Sequence, residues 1–289
     1  MRFTACVTTM NRPKELNECL QALWNSDTRP YSVVVSDNSV DPTVQKQNQD
    51  VVSQYANTIY LEGPHEGVSS NRNNALKAVT PDTELVTFLA DDICVRPDFI
   101  SLAIARYQTL PPEKQRKAIF TGDNRNEFSP EDIGPLGVTF RGYFCDRSQR
   151  QDTLQVVNLY ATVFPRSFLE QEQWDENIFL GQEDIELSLR ALKLGYDITY
   201  CPELKVFDTC FSKTTLPSAQ KGTLKDYEIY VAASRLYIGI KRFKYIFPNP
   251  FKLLAFTTLY YLHMTSYLLR RGSLQVWPAI IQTSNIQRL

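Results

Sequence analysis

Two acidic pairs hold most of the chemistry this chain can offer. Asp91 and Asp92 follow the apolar run Leu85-Val86-Thr87-Phe88-Leu89-Ala90, where a buried strand would end and deliver both carboxylates to solvent. In open parallel sheets the ligand lies outside the carboxyl ends of the strands. Hard divalent cations such as magnesium take carboxylate oxygens and share substrate phosphates, so an acid pair at a strand end is a way to build a metal and phosphate site. The second pair, Glu183-Asp184, opens the segment Ile185 to Leu192, which reads as a helix stopping near Gly195. Each pair taken alone has a plain structural explanation: a polar strand end, or acids stabilised by the macrodipole in a first helical turn.

The elements that must position these acids are legible in the N-terminal half. Phe3 to Thr8 is a short apolar run, and Asn11-Arg12-Pro13 supplies an N-cap followed by proline in a first turn. Leu16, Cys19, Leu20 and Leu23 then repeat at the spacing of one buried helix face. Ser32 to Ser36 is a second strand ending in Asp37-Asn38-Ser39. Thr58 to Leu61 is a third, leading through Gly63 to Gly67 into a helix with Ala75, Leu76 and Val79. Continuous apolar strands alternating with helices predict a mostly parallel sheet covered on both faces. All the polar clusters then fall along one sheet edge. Further on, Gly122 to Asn126 and Asp146 to Asp152 read as loops, and Val156 to Phe164 as a strand.

Composition narrows the classes. The 289 residues are 43% hydrophobic and 22% charged, which is ordinary for a globular chain with a sizeable core. Six cysteines without a CxxC pair, and no signal-peptide pattern at the start, suit reduced thiols and a cytoplasmic location. Only two histidines occur, His65 and His263, neither with a second ligand at zinc spacing. No GxGxxG follows the first strand and no GxxxxGK[ST] occurs, which demotes dinucleotide and P-loop folds. The net charge of −1 conceals an asymmetry: from Lys221 onward there are ten basic residues against two acids, leaving an acidic body that argues against nucleic acid.

Five segments in order carry a resemblance to family 2 glycosyltransferases. They are Val7-Thr8-Thr9-Met10-Asn11-Arg12, Ser36-Asp37-Asn38-Ser39, Gly67 to Asn73, Phe88-Leu89-Ala90-Asp91-Asp92, and Phe179-Leu180-Gly181-Gln182-Glu183-Asp184. The resemblance covers roughly residues 1 to 212. It implies the α/β fold called GT-A, a Rossmann-like, mostly parallel central sheet with flanking helices. The catalytic domain would occupy residues 1–214, with a nucleotide-sugar half over about 1–98 and an acceptor half over about 99–214. A helical appendage would fill 215–289.

By the same resemblance, Thr8 and Asp37 contact the ribose and base of the donor nucleotide, Arg72 lies near the base or diphosphate, and Asn11 and Arg12 are further candidates. Asn11 has the helix cap as its simpler role. Asp91 and Asp92 match the family's DXD metal motif, although Ala90 stands where many members have a further Asp, leaving their division of labour open. Asp184 is the implied general base, with Glu183 in acceptor contact or holding the loop. Asp208 stands where the family often has a metal-ligating histidine and is a candidate third ligand for manganese or magnesium. Trp174 precedes the catalytic acids in the acceptor-side loop, where it could stack on a sugar or be buried. The implied reaction is an inverting transfer from a nucleotide-sugar, a UDP-sugar by default with dTDP and GDP open, to a glycan or lipid-linked acceptor in cell-envelope or exopolysaccharide synthesis. The alternative is a catalytically silent nucleotide-sugar or glycan-binding assembly partner. Tyr227 to Phe247 reads as a helix broken by Pro248-Asn249-Pro250, and Phe251 to Leu269 as a second one, only marginal for a membrane span. Its basic and aromatic setting fits a helix lying peripherally on the inner face of a membrane.

Overall fold

The first strand, β1 (Phe3–Thr9), has all seven residues buried, and the sheet is built outward from it. The computed structural model describes residues 1–126, 132–145, 156–209, 220–221 and 224–289. After β1 come α1 (Pro13–Trp24), β2 (Ser32–Asp37), α2 (Pro42–Val52), β3 (Thr58–Glu62), α3 (Val68–Lys77) and β4 (Leu85–Ala90). Next are β5 (Ile93–Val95), α4 (Phe99–Gln108), the single turn α5 (Pro112–Gln115), β6 (Ala118–Asn126) and the two-residue strands β7 (Asp132–Ile133), β8 (Gly137–Val138) and β9 (Phe144–Cys145). The chain ends with β10 (Thr162–Pro165), α6 (Arg166–Leu169), α7 (Glu183–Lys193), β11 (Asp197–Asp208), and then α8 (Asp226–Lys241), α9 (Pro250–Arg270) and α10 (Trp277–Thr283).

The main sheet runs β3-β2-β1-β4-β10-β6-β11-β5, with β7 beside β6. β3, β2, β1 and β4 are mutually parallel, as the continuous apolar runs predict. Beyond β4 the sheet is mixed rather than mostly parallel: β10 is antiparallel to both β4 and β6, and β5 is antiparallel to β11. The expected loop Gly122 to Asn126 is instead the end of β6, because Asp123 to Asn126 pair in register with Lys205 to Asp208 of β11. Cross-strand pairing there outweighs the polar composition. The expected strand Val156 to Phe164 shrinks to β10, preceded by a 3-10 turn over Leu159–Ala161. The expected loop at Asp146 to Asp152 lies outside the described residues.

Alternation along the strands feeds two cores. Phe3, Ala5 and Val7 join Leu16, Leu20, Phe99 and Ile100 under α1 and α4 on one face. Cys6, Val34, Val86 and Phe88 join Ala75, Trp174 and Leu187 under α3 and α7 on the other. The C-terminal helices form a third cluster around Leu236, Phe256, Tyr260 and Ile280. Their inner side continues into the α/β part of the chain, since Tyr237 and Ile238 of α8 pack with Ile185 and Leu189 of α7. The helix break at Pro248–Pro250 occurs as read, and the Asn249 side chain accepts the Lys252 N–H at the start of α9. Among the described residues no helix is long and apolar enough to cross a membrane.

Candidate functional site

Register places the site. Thr9 lies opposite Asp37 of β2, and Thr8 opposite Ala90 of β4, so the loops after β1, β2 and β4 share one edge of the sheet. A cavity of about 450 Å³ opens there, within the range of small-ligand pockets. Its floor includes Thr8, Thr9, Met10, Arg12, Asp91 and Asp92; one wall carries Asn38, Val40, His65, Gly67 and Asn71. Another part of the lining is aromatic: Tyr160, Phe179, and from α8 Tyr227 and Tyr230. The Phe179 and Tyr230 rings stack with centroids 4.5 Å apart. Gly67 is needed where these walls meet. Its φ is +99°, and a Cβ there would stand 2.5 Å from the Phe179 carbonyl oxygen, which accepts the Val68 N–H.

Asp91 is the anchored member of the acid pair. It is buried, and its Oδ2 accepts the Thr9 hydroxyl at 2.7 Å and the Met10 N–H at 3.3 Å. The Arg12 guanidinium donates to Asp91 Oδ1 at 3.2 Å and also to Asp92 Oδ2, lying across both carboxylates. Burial first, and the neighbouring Asp92 charge second, push the Asp91 carboxyl up to about 7. Two carboxylates that a half-buried cation holds together form an all-oxygen donor set, which suits magnesium or manganese when the remaining ligands come from phosphates and water. The expected third ligand does not join them. Among the described residues no three His, Cys, Asp or Glu side chains gather around one point. The end of β11 meets the acid pair through backbone instead: Thr209, next after Asp208, donates its N–H to the Asp92 carbonyl at 2.9 Å.

Several expected contacts with a nucleotide are placed differently. Asp37 is fully buried and absent from the pocket lining; its oxygens accept the Ser39 N–H, the Asn48 amide and the Tyr60 hydroxyl, each at 2.8 Å. It braces the loop whose Asn38 and Val40 face the cavity. Asn11 does not cap α1, which has no side-chain cap. It sits at φ 60°, a left-handed position that asparagine tolerates, and its N–H donates to Ser39 Oγ at 2.8 Å. Arg12 alone of this pair lines the pocket. Trp174 is 2% exposed, its ring packed edge-on against Phe88 and Phe164, so it offers no face to a sugar.

Arg72 also points into the protein. It is 1% exposed, its guanidinium lies 4.7 Å above the Trp174 ring, and it donates to Glu183 Oε1 at 2.7 Å. This ion pair ties α3 to the first turn of α7 and leaves Glu183 Oε2 buried with no hydrogen-bond partner. Arg72→Met is expected to destabilise the fold by about 3–5 kcal/mol, because it strands a buried carboxylate. Chemical denaturation measures this; unchanged stability with weakened nucleotide binding would return Arg72 to a ligand role.

Asp184 follows directly, its Oδ1 accepting the Ile185 N–H at 2.9 Å. Burial, then the adjoining Glu183 charge, push its carboxyl up to about 7. Neither acid lines the cavity, but both act on its aromatic wall: the Tyr227 phenol is raised by burial and then by the charges of Glu183 and Asp184. Tyr160, Tyr227 and Tyr230 are pocket residues that sequence reasoning missed. The signal for Tyr227 and Tyr230 was the aromatic richness of the C-terminal region, which does not say which ring reaches the pocket; Tyr160, inside an apolar run, carried none.

Comparison with known proteins bears on this architecture. The family model described as glycosyl transferase family 2 matches residues 4–167. The GalNAc(5)-diNAcBac-PP-undecaprenol beta-1,3-glucosyltransferase of Campylobacter jejuni is 33% identical over 206 residues, covering 68% of this chain and 62% of that protein. The chain thus spans less than two thirds of that relative's length. The crystal structure of S. aureus TarS 1-349 in complex with UDP superposes with a TM-score of 0.63 at 16% identity, covering 98% of this chain and 79% of TarS 1-349. The complex of the same protein with UDP-GlcNAc gives 0.62. At this identity the likeness is one of fold, the GT-A arrangement with its C-terminal helices. With the matched region covering more than half of its length, from β1 through β10, the chain belongs to glycosyl transferase family 2.

Proposed function

We propose that the protein is a glycosyltransferase that moves a sugar from a UDP-sugar to a hydroxyl of a glycan or lipid-linked acceptor, with inversion and with a divalent metal. We place it peripherally on the cytoplasmic face of a membrane, in cell-envelope or exopolysaccharide assembly. The observation that carries this reading is the pocket itself, lined by Asp91, Asp92 and Arg12 at the strand ends and by Phe179 and Leu180, a few residues before Asp184. Support for the donor comes from TarS, which binds UDP and UDP-GlcNAc in a similar fold. Support for the acceptor comes from the Campylobacter relative, whose name specifies a diphospho-undecaprenol-linked glycan. The described cysteines are all free thiols, which suits a reducing compartment.

In this reading Asp91 and Asp92 would hold the metal, and Arg12, which lies across both carboxylates, supplies positive charge for the donor diphosphate. Bound manganese or magnesium would supply Lewis-acid stabilisation of the departing diphosphate. Asp184 takes the acceptor hydroxyl proton as that oxygen bonds to the anomeric carbon and the bond to the diphosphate breaks. Glu183, held by Arg72, keeps the first turn of α7 in place and raises the proton affinity of Asp184. Stacked Phe179 and Tyr230 close the side of the pocket and exclude water. No further acid is required, because the leaving group departs as an anion.

Calorimetric titration with UDP, dTDP and GDP, each with and without manganese, tests the donor assignment. UDP is expected to bind with manganese and at least tenfold more weakly without it. Absence of binding by every nucleotide in both conditions would overturn the transferase reading.

A further inference from the structure

Helix α9 carries apolar side chains both on the face it buries and on the face it turns to solvent. Phe256, Tyr260, Met264 and Leu268 recur every four residues and are buried against α8 and α10. The helices cross so closely that a Cβ on Gly239 of α8 would lie 1.9 Å from the Phe256 ring. This inner face is therefore already partnered. The outer face carries Phe251, Leu254, Leu259, Leu262 and Leu269, with Phe251 82% exposed and Leu254 and Leu262 67% and 66%. At about 1.5 Å per residue this ridge is about 27 Å long. Exposed Tyr245, Phe247 and Leu274 flank it.

Charge decides what covers such a ridge. From Ile229 to the end of the chain there are eight Lys or Arg residues and no Asp or Glu. Lys244 and Lys252 are exposed near the start of the ridge and Arg270 at its end. A second copy meeting this face about a two-fold axis would set like charges against each other. A helix too polar to span, with a solvent-facing apolar stripe and cations at both ends, has the make-up of one that lies in the headgroup region of an anionic bilayer. We infer that the outer face of α9, with its basic flanks, is a docking surface for an anionic lipid bilayer, with Phe251, Leu254 and Leu262 entering the acyl boundary.

The inference deepens the peripheral placement proposed above and rests on that reading for its purpose. Helix α8, on which α9 packs, also carries the pocket residues Tyr227 and Tyr230. Adjacent helices thus line the pocket and meet the lipid, which suits an acceptor whose anchor stays in the membrane.

The test is co-sedimentation of the full chain with 100-nm vesicles of phosphatidylcholine alone or with 30% phosphatidylglycerol, without nucleotide. Binding to the anionic vesicles is expected, at least tenfold stronger than to the neutral ones and weakened by raising NaCl from 0.1 to 0.5 M. Leu254→Asp with Leu262→Asp is expected to lower it at least tenfold, as is Lys252→Glu with Arg270→Glu, with both variants melting like the parent protein. Equal binding to both vesicle types, no binding to either, or a dimer by ultracentrifugation that Leu254→Asp with Leu262→Asp dissolves would each overturn the inference. UDP calorimetry on the same samples separates this failure from failure of the transferase reading, since vesicle binding needs no nucleotide.

Discussion

Asp184→Asn is expected to abolish sugar transfer, lowering turnover by about 10²- to 10⁴-fold, the range that general-base catalysis supplies. UDP and manganese should bind as tightly as before, because the donor pocket is floored by Asp91 and Asp92 rather than by α7. The exchange keeps shape and removes charge. The parent enzyme should lose activity about tenfold per pH unit below pH 7, since the base must be ionised and its carboxyl is held up to about 7 by burial and by Glu183. A carboxylate with the ordinary value of 3.8 would stay active to far lower pH. Stability runs the opposite way. Between about 4 and 7 the folded protein keeps a proton at Asp184 that the unfolded chain has released, so this group's contribution to stability falls as pH rises through that window. At pH 8 the asparagine variant should therefore melt higher than the parent while doing no chemistry. Full activity in Asp184→Asn would assign the proton to another group.

Asp92→Ala should remove the metal dependence of nucleotide binding. Loss of one of only two carboxylate ligands should cost more than the about 10- to 100-fold that outer-shell changes typically cost. The effect is sharpened by what remains. The Asp92 charge is, after burial, the second cause that pushes Asp91 up to about 7, and Arg12 bridges both acids. Without Asp92, the Asp91 carboxyl loses that repulsion and keeps the guanidinium to itself, an ion pair with no vacancy for manganese. Asp91→Ala is a poorer test, because it also frees the Thr9 hydroxyl and the Met10 N–H and loosens the loop after β1. Calorimetry with and without manganese reads the result, and manganese-dependent UDP affinity preserved in Asp92→Ala would place the metal elsewhere.

The donor half was readable because local pattern decides it. Apolar runs bounded by polar residues marked β1, β2, β3 and β4, and parallel pairing then had to bring Thr8, Thr9 and Asp91 to one edge. The helix spacing of Leu16, Cys19, Leu20 and Leu23 placed α1 in the same way. What local pattern cannot supply is the partner of a long side chain. Arg72 reads as a nucleotide ligand until Glu183, 111 residues away, is seen to hold it. Trp174 and Asp37 are likewise claimed by the interior, one by Phe88 and Phe164 and the other by three donors. The polar end of β6 was hidden because its strand character comes from β11, some eighty residues later.

The wall made by α8 has a consequence for how this enzyme can be altered. The residues matched by the family stop at 167, yet Phe179, Leu180, Tyr227 and Tyr230 all border the same cavity as Thr8 and Asp91. A chain cut before α8 would expose Val138, Ile185 and Leu189 and leave the cavity open on one side. Grafting a foreign C-terminal region would likewise reshape that cavity. On the proposed function, the surface that meets the membrane and the cavity that takes the donor belong to one packed unit, and a change in either reaches the other.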